Sequence, residues 1–382
     1  MASFLGGLRH SSRGFVFHYQ SNLCQRSCAI PLYRRTSLIA KAYNITGHSQ
    51  LQSKSNMSTQ RAIQISKTGG TDVLEINQVP IPKPQPGQIL VKAAYAGVNF
   101  IDTYFRTGLY PVSLPFTLGS EGSGIVEAVG EGVTKYKPGE EVVYYGAGAY
   151  TEYLNVPEKA ISHIPEGLKL EEAAAILIQG LTALTMLRES YEVKKGDTIL
   201  IHAAAGGTGL VLVQLAKALG ATVIATASSD EKLELARRHG ADYLVNYSNG
   251  EDAWVKEVLG YTKDGEGVEA VYDGVGKATF EGGLKVAKRK GSLISFGNAS
   301  GAVEPFKINR LGDKNLKLLR PRLFGYVATQ EEFDNYTQEL FGYIKSGQLK
   351  LNIHKIYPLE NIVQAHKDLE GRVTTGKLVL KI

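Results

Sequence analysis

Between residues 198 and 296 the chain repeats one pattern, a short apolar strand followed by a turn and a helix. Strand-like runs at Thr198–Ala204, Ala221–Ala227, Tyr243–Tyr247, Val268–Tyr272 and Ser292–Phe296 alternate with helix-like runs at 208–219, 230–239, 251–260 and 277–289. Strands separated by helices cannot pair as hairpins, so the pattern predicts a parallel, doubly wound sheet covered on both faces. Upstream the reading is different. Short β-like runs at 61–66, 73–78, 88–98, 121–130 and 141–155 are punctuated by Pro80–Gly87 and Lys137-Pro138-Gly139, which predicts a mostly antiparallel β domain. Leu170–Ser190 reads as a helix pair interrupted near Gly180. Helices near 331–346 and 360–369 and a last strand Lys377–Ile382 follow the alternating region. The expected class is α/β, with a β-rich domain from 58–180 and 327–382 and a nucleotide-binding domain from 181–326.

The first strand of the alternating region runs into Ala204-Ala-Gly206-Gly207-Thr208-Gly209, and a helix begins near Thr208. Glycines there let the backbone approach a pyrophosphate, and the positive end of the helix faces the phosphates. Ala204 stands where the common fingerprint has its first glycine. At the end of the second strand, where an acid would hold the hydroxyls of an NAD ribose, this chain has Ser228, and Lys232 follows. An acid would repel a 2′-phosphate and a lysine would pair with it, so the pattern selects NADPH.

Charge divides the chain unevenly. Residues 1–57 hold seven of its 43 basic side chains and no carboxylate, and the first acid is Asp72. The remaining 36 basic residues face 37 acidic ones, so the pI of about 9.0 belongs to the leader and argues against a nucleic-acid partner for the body. A Ser- and Arg-rich, acid-free leader is the composition of a transit peptide for a chloroplast or mitochondrion. The alternatives are a disordered leader and a cytosolic form starting at Met57. Both cysteines, Cys24 and Cys28, lie in the leader, which leaves the body no thiolate for a metal. His202 and His366 are read as packed, the basic stretches Lys285–Lys290 and Asp313–Arg322 as solvated faces, and no stretch as long and apolar enough to span a bilayer.

Several long motifs in order, Gly97-Val-Asn-Phe-Ile-Asp-Thr-Tyr-Phe-Arg-Thr-Gly-Leu-Tyr-Pro111, His202-Ala-Ala-Ala-Gly-Gly-Thr-Gly209, Tyr272-Asp-Gly-Val-Gly276 and Ser295-Phe-Gly-Asn-Ala-Ser-Gly301, closely resemble the zeta-crystallin-like quinone oxidoreductases, zinc-free members of the medium-chain dehydrogenases. The resemblance covers about residues 60–382. It implies a GroES-like catalytic domain built from both ends of the chain, a Rossmann domain between, and a site in the cleft. It places Lys232, Tyr247 and Arg372 around the 2′-phosphate, Asn99 and the turn to Tyr104 near the nicotinamide, and Phe296, Gly297, Asn298, Phe324 and Gly325 along the cofactor. Thr185 stands where some relatives carry a Tyr. The Gly-His-Glu of zinc-dependent relatives is here Gly119-Ser-Glu-Gly122. Relatives are often dimers or tetramers.

Without a metal to hold an alkoxide, electron-poor acceptors are the chemistry expected. Asn99, Tyr104 and Tyr110 are the candidates for orienting the acceptor, with Asp102 ordering their loop. The expected activity is NADPH-dependent quinone reduction, in one- or two-electron steps. The alternatives are an NADPH-dependent enal or enone reductase and a non-catalytic, NADPH-regulated RNA-binding or structural protein.

Overall fold

Alternate residues of the central strands point into two separate cores. In the computed structural model, which describes residues 58–382, Ile199 and Ile201 pack with Val223, Ala225 and Tyr272, while Leu200 packs with Ile224, Val271 and Leu293. The first set meets the helices Leu170–Thr185, Gly207–Ala218 and Gln330–Lys345 through Leu177, Leu181, Leu212, Leu215, Phe333 and Leu340. The second meets Trp254, Val258, Phe280 and Leu284 from the helices Glu251–Gly260 and Phe280–Val286. Strands apolar on both faces need helices on both faces, which is the doubly wound Rossmann arrangement. The leader, with Cys24 and Cys28, lies outside the described residues.

The six strands stand in the order Tyr243–Asn246, Thr222–Ala227, Thr198–Ile201, Val268–Asp273, Ala287–Ser295 and Lys317–Leu319, all parallel. The order reverses between Thr198–Ile201 and Val268–Asp273, so a crevice opens at the carboxyl ends of that pair, where ligands of such sheets bind.

The second large sheet, of GroES-like β type, has seven strands and mixes both ends of the chain. Lys377–Lys381 pairs antiparallel with Gln88–Val98, setting Leu378 opposite Val98, and Ile353–Pro358 lies outside it. Leu378 and Leu380 are buried with Ile89, Val91, Val126 and Tyr144. This register brings Lys377 beside Asn99, 278 positions away in sequence.

Several local expectations are corrected. The helix Leu170–Thr185 does not break at Gly180 but runs through it into a wider turn at Met186–Ser190. A Cβ on Gly180 would come within 2.6 Å of a Leu340 methyl, so the glycine serves close helix packing. The 180/181 boundary therefore falls inside one helix. Leu170–Ser190 is also long and apolar enough to cross a membrane, against expectation, but 72% of its apolar window is buried inside the fold. Residues 277–289 split into the helix Phe280–Val286 and the start of the strand Ala287–Ser295. The run 141–155 splits into Glu141–Tyr145 and Tyr153–Pro157 around a turn with Gly148 at φ +90°.

Candidate active site

A cleft of about 670 Å³ opens at the reversal point of the parallel sheet. The Gly-rich loop forms its floor. Ala203 there adopts φ +51°, a strained value for a residue with a Cβ, and Gly206 caps the helix Gly207–Ala218. A Cβ on Gly207 would sit 2.1 Å from the Gln179 side chain, and one on Gly209 would sit 2.3 Å from the Ala203 carbonyl. Gly209 is thus restricted to glycine by close backbone approach, and a side chain at Gly207 would displace Gln179. Gly206, Gly207, Thr208 and Gly209 all line the cleft, with helix N–H groups opening onto it. His202 sits in the loop rather than a strand, yet it packs as expected: it is 1% exposed, its Nδ1 lies 2.8 Å from Thr226 Oγ1, and its ring meets Trp254 edge-on.

At one end the cleft is bounded by Ser228, Lys232, Tyr247 and Arg372, as the sequence suggested. Lys232 Nζ donates to the Arg372 carbonyl at 2.5 Å, and Arg372 holds φ +56°. Burial first, and then the nearby Arg372 guanidinium, push the Lys232 ammonium below its ordinary value. Two cations forced together in this way are relieved by an anion between them.

The other end is built on a helix where the sequence suggested a turn. Phe100–Thr107 is capped by Asn99, whose backbone N–H donates to Asp102 Oδ2 at 2.9 Å, and it ends at Gly108 with φ +81°. Asp102 does not reach the cleft and bears on it only through the loop it orders. It is fully buried and accepts the hydroxyls of Ser120 and Tyr150 at 2.6 Å each, and burial pushes its carboxyl up to about 6. Tyr104 and Tyr110 do line the cleft, their rings edge to face at 5.2 Å. Tyr104 accepts the Asn298 backbone N–H at 2.9 Å, and burial pushes its phenol up to about 12. Tyr110 accepts from the Arg320 guanidinium at 3.1 Å. Arg320 is anchored in turn on the carbonyls of Ser295 and Gly297, at 2.8 and 3.2 Å.

Asn99 lines the cleft, but its amide is already occupied. Its Nδ2 donates to the Gly97 carbonyl at 3.2 Å and to Glu121 Oε1 at 2.9 Å, and its Oδ1 accepts Lys377 Nζ at 2.6 Å. Both amide hydrogens are used, so Asn99 is not the free donor expected of it. Phe296, Gly297 and Phe324 face the cleft, whereas Asn298 and Gly325 are not among its lining residues. Phe324 stacks on Tyr145, and Phe296 packs against Gly274. Thr185 lines the cleft, but its hydroxyl turns back to the Leu181 carbonyl at 2.7 Å.

Sequence reasoning missed Arg320, Arg322 and Lys377. The two arginines sit in a run read as a solvated face, and both line the cleft. Together with Lys232 and Arg372 the lining carries five cations and no carboxylate. Such a lining suits a polyanionic ligand.

Two family descriptions match the chain: "Alcohol dehydrogenase GroES-like domain" over residues 85–166 and "Zinc-binding dehydrogenase" over residues 207–341. A probable quinone oxidoreductase of Schizosaccharomyces pombe is 45% identical over 83% of this chain and 96% of its own length. The quinone oxidoreductase of Pseudomonas aeruginosa is 44% identical over 84% and 99%. A 2-haloacrylate reductase of Burkholderia is 38% identical over 84% and 98%. Among solved structures, a mycobacterial protein complexed with NADPH is 43% identical with a TM-score of 0.82, covering 85% of this chain and 100% of its own. Escherichia coli quinone oxidoreductase complexed with NADPH is 40% identical with a TM-score of 0.82, covering 84% and 100%.

The zinc of the second family description does not fit the residues here. Ser120 and Glu121 stand in the Gly-His-Glu position. The Ser120 hydroxyl is spent on Asp102, and Glu121 accepts from Lys377, Asn99 and the Ile178 N–H. An ammonium already holds the carboxylate that a metal would need. With identity above 40% across nearly the whole length of several relatives, the chain belongs to the quinone oxidoreductase family of the medium-chain dehydrogenases.

Proposed function

We propose that this chain oxidises NADPH and passes the reducing equivalents to a quinone. The observation that carries the reading is the cation-lined, carboxylate-free cleft, which runs from Lys232 and Arg372 past the Gly-rich loop to Tyr104, Tyr110 and Arg320. In this reading Ser228, Lys232, Tyr247 and Arg372 hold the 2′-phosphate, and the loop Gly206–Gly209 holds the pyrophosphate. Phe296 and Gly297 wall the nicotinamide half.

Bound NADPH supplies a hydride equivalent from the nicotinamide. The chain's own residues position the acceptor and exclude water. Tyr110 already accepts a hydrogen bond from Arg320, so its own O–H points onward as a donor, polarised by the guanidinium. Tyr104, engaged by the Asn298 N–H, is left with the same free donor. Two phenol donors side by side suit the carbonyl oxygen of a quinone, where negative charge develops. The 2-haloacrylate reductase among the relatives favours a second reading, reduction of an alkene conjugated to a carbonyl, which needs the same donors.

The test follows NADPH oxidation by the full chain with a small quinone and, separately, with a short enone, identifying the products. Quinone turnover that is inhibited by NADP⁺ and far weaker with NADH supports the main reading. Turnover of the enone alone, to the saturated carbonyl, transfers it to the second. A homodimer or homotetramer belongs to the proposal, as does delivery of the chain to an organelle by its leader. The latter is read out by fusing residues 1–57 to a fluorescent protein.

A further inference from the structure

One buried charged side chain on the cleft has no part in the scheme above. Lys377 is 3% exposed, opens the last strand and lines the cleft. Its Nζ donates to Asn99 Oδ1 at 2.6 Å and to Glu121 Oε1 at 2.5 Å. Glu121 is itself 0% exposed, and its other oxygen takes the Ile178 N–H at 2.7 Å. Burying a lysine and a glutamate together costs several kcal/mol of desolvation, and well-packed apolar residues would serve stability as well or better. A purely structural link would not need a charge at the edge of a ligand cleft.

The hydrogen-bond inventory sharpens this. An ammonium has three hydrogens, and two are used here. Both oxygens of Glu121 and both amide hydrogens of Asn99 are engaged. The remaining Nζ–H is therefore the one unspent charged donor of this cluster. Its place along the cleft is set by its neighbours. The preceding residue, Gly376, donates its N–H to the Ala205 carbonyl at 2.8 Å and bridges to Gly206 on the Gly-rich loop. Asn99, on the other side, caps the helix that carries Tyr104. Lys377 thus stands between the loop assigned to the pyrophosphate and the acceptor end, a position that falls to the nicotinamide ribose.

We infer that Lys377 is a further cofactor-anchoring residue, donating its third hydrogen to a hydroxyl of the nicotinamide ribose, while Glu121 and Asn99 fix its direction. The inference rests on the NADPH reading. It also separates two tasks: Lys232 and Arg372 recognise the 2′-phosphate and so discriminate NADPH from NADH, whereas Lys377 grips what the two cofactors share.

Titrations of the full chain with NADPH, NADH and adenosine 2′,5′-bisphosphate test this, without reference to turnover. Because Lys377→Met alone would strand a buried carboxylate and Glu121→Gln alone a buried ammonium, the comparison is between the unsubstituted chain and Glu121→Gln/Lys377→Met, which removes both charges. A charge-assisted hydrogen bond of ordinary strength predicts that the double variant loses about ten-fold or more in affinity for NADPH and NADH alike. The bisphosphate, which lacks the nicotinamide ribose, should bind the double variant and the unsubstituted chain within about two-fold of each other. Unchanged NADPH affinity in the double variant overturns the inference. So does an equal loss for the bisphosphate, which assigns Lys377 to the fold. Failure of the unsubstituted chain to bind NADPH overturns the cofactor reading itself.

Discussion

The two ends of the cleft are built on opposite principles. At the Lys232–Arg372 end the polar groups are partly exposed, come from short local motifs and keep charge to spare for a ligand. At the Asn99 end, Asp102, Glu121 and the Asn99 amide are tied to Ser120, Tyr150, Ile178 and Lys377, so that these three have little left to offer. The first end recognises and the second holds its shape, as preorganisation at a reacting centre requires. Substitutions at the first end should therefore cost binding alone, whereas removing one partner from the buried cluster at the second should cost stability.

The largest effect expected is at the saturated end. Glu121→Ala leaves the Lys377 ammonium buried and unpaired, which should cost about 3–5 kcal/mol in denaturant unfolding. Lys232→Ala should stay within about 0.5 kcal/mol of the parent. Equal stability losses for the two would erase the contrast.

Asp102 gives the same contrast in pH. Burial raises its carboxyl from 3.8 to about 6, so between those values the folded chain binds a proton that the unfolded chain has released. Its contribution is fully present below pH 3.8 and is lost as pH rises through about 6. The decline is worth roughly 2–3 kcal/mol by linkage, and Asp102→Asn should remove it. A variant whose stability falls as steeply as the parent's between pH 4 and 7 would show that the three hydrogen bonds to Asp102 outweigh its burial.

At the recognition end, Lys232→Ala and Arg372→Ala should each weaken NADPH binding by about ten-fold or more while leaving NADH within about two-fold, measured by fluorescence titration. Equal losses for both cofactors would contradict the 2′-phosphate assignment. The smallest effect expected is from Tyr110→Phe, which removes one neutral donor and should lower kcat/KM for a quinone by about five- to ten-fold with NADPH affinity unchanged. A loss confined to NADPH affinity would move Tyr110 from the acceptor to the cofactor.

The same division explains what was legible in the sequence. The Gly-rich loop, Ser228 and Lys232 lie within one strand–loop–helix unit and the strand and first helical turn after it, so spacing alone located them. The helix Phe100–Thr107 carried readable signals, Asn99 at its cap, Asp102 three residues on and Gly108 at its end. Its β-rich surroundings led to a turn being read instead. Gly180 looked like a break because glycine usually weakens helices, whereas here it makes room for Leu340. Arg320 was read by local charge density, but what matters is its reach across the cleft to Tyr110. Lys377 and Glu121 are 256 positions apart, and nothing local marks either as half of a buried pair.

The central claim is that this cleft selects a phosphorylated dinucleotide by its unspent cations. It is tested most directly by titrating the full-length chain with NADPH and NADH at the same ionic strength. The account predicts NADPH binding at least about ten-fold tighter, with the difference shrinking as salt rises. Equal affinity for the two cofactors at low salt would contradict it.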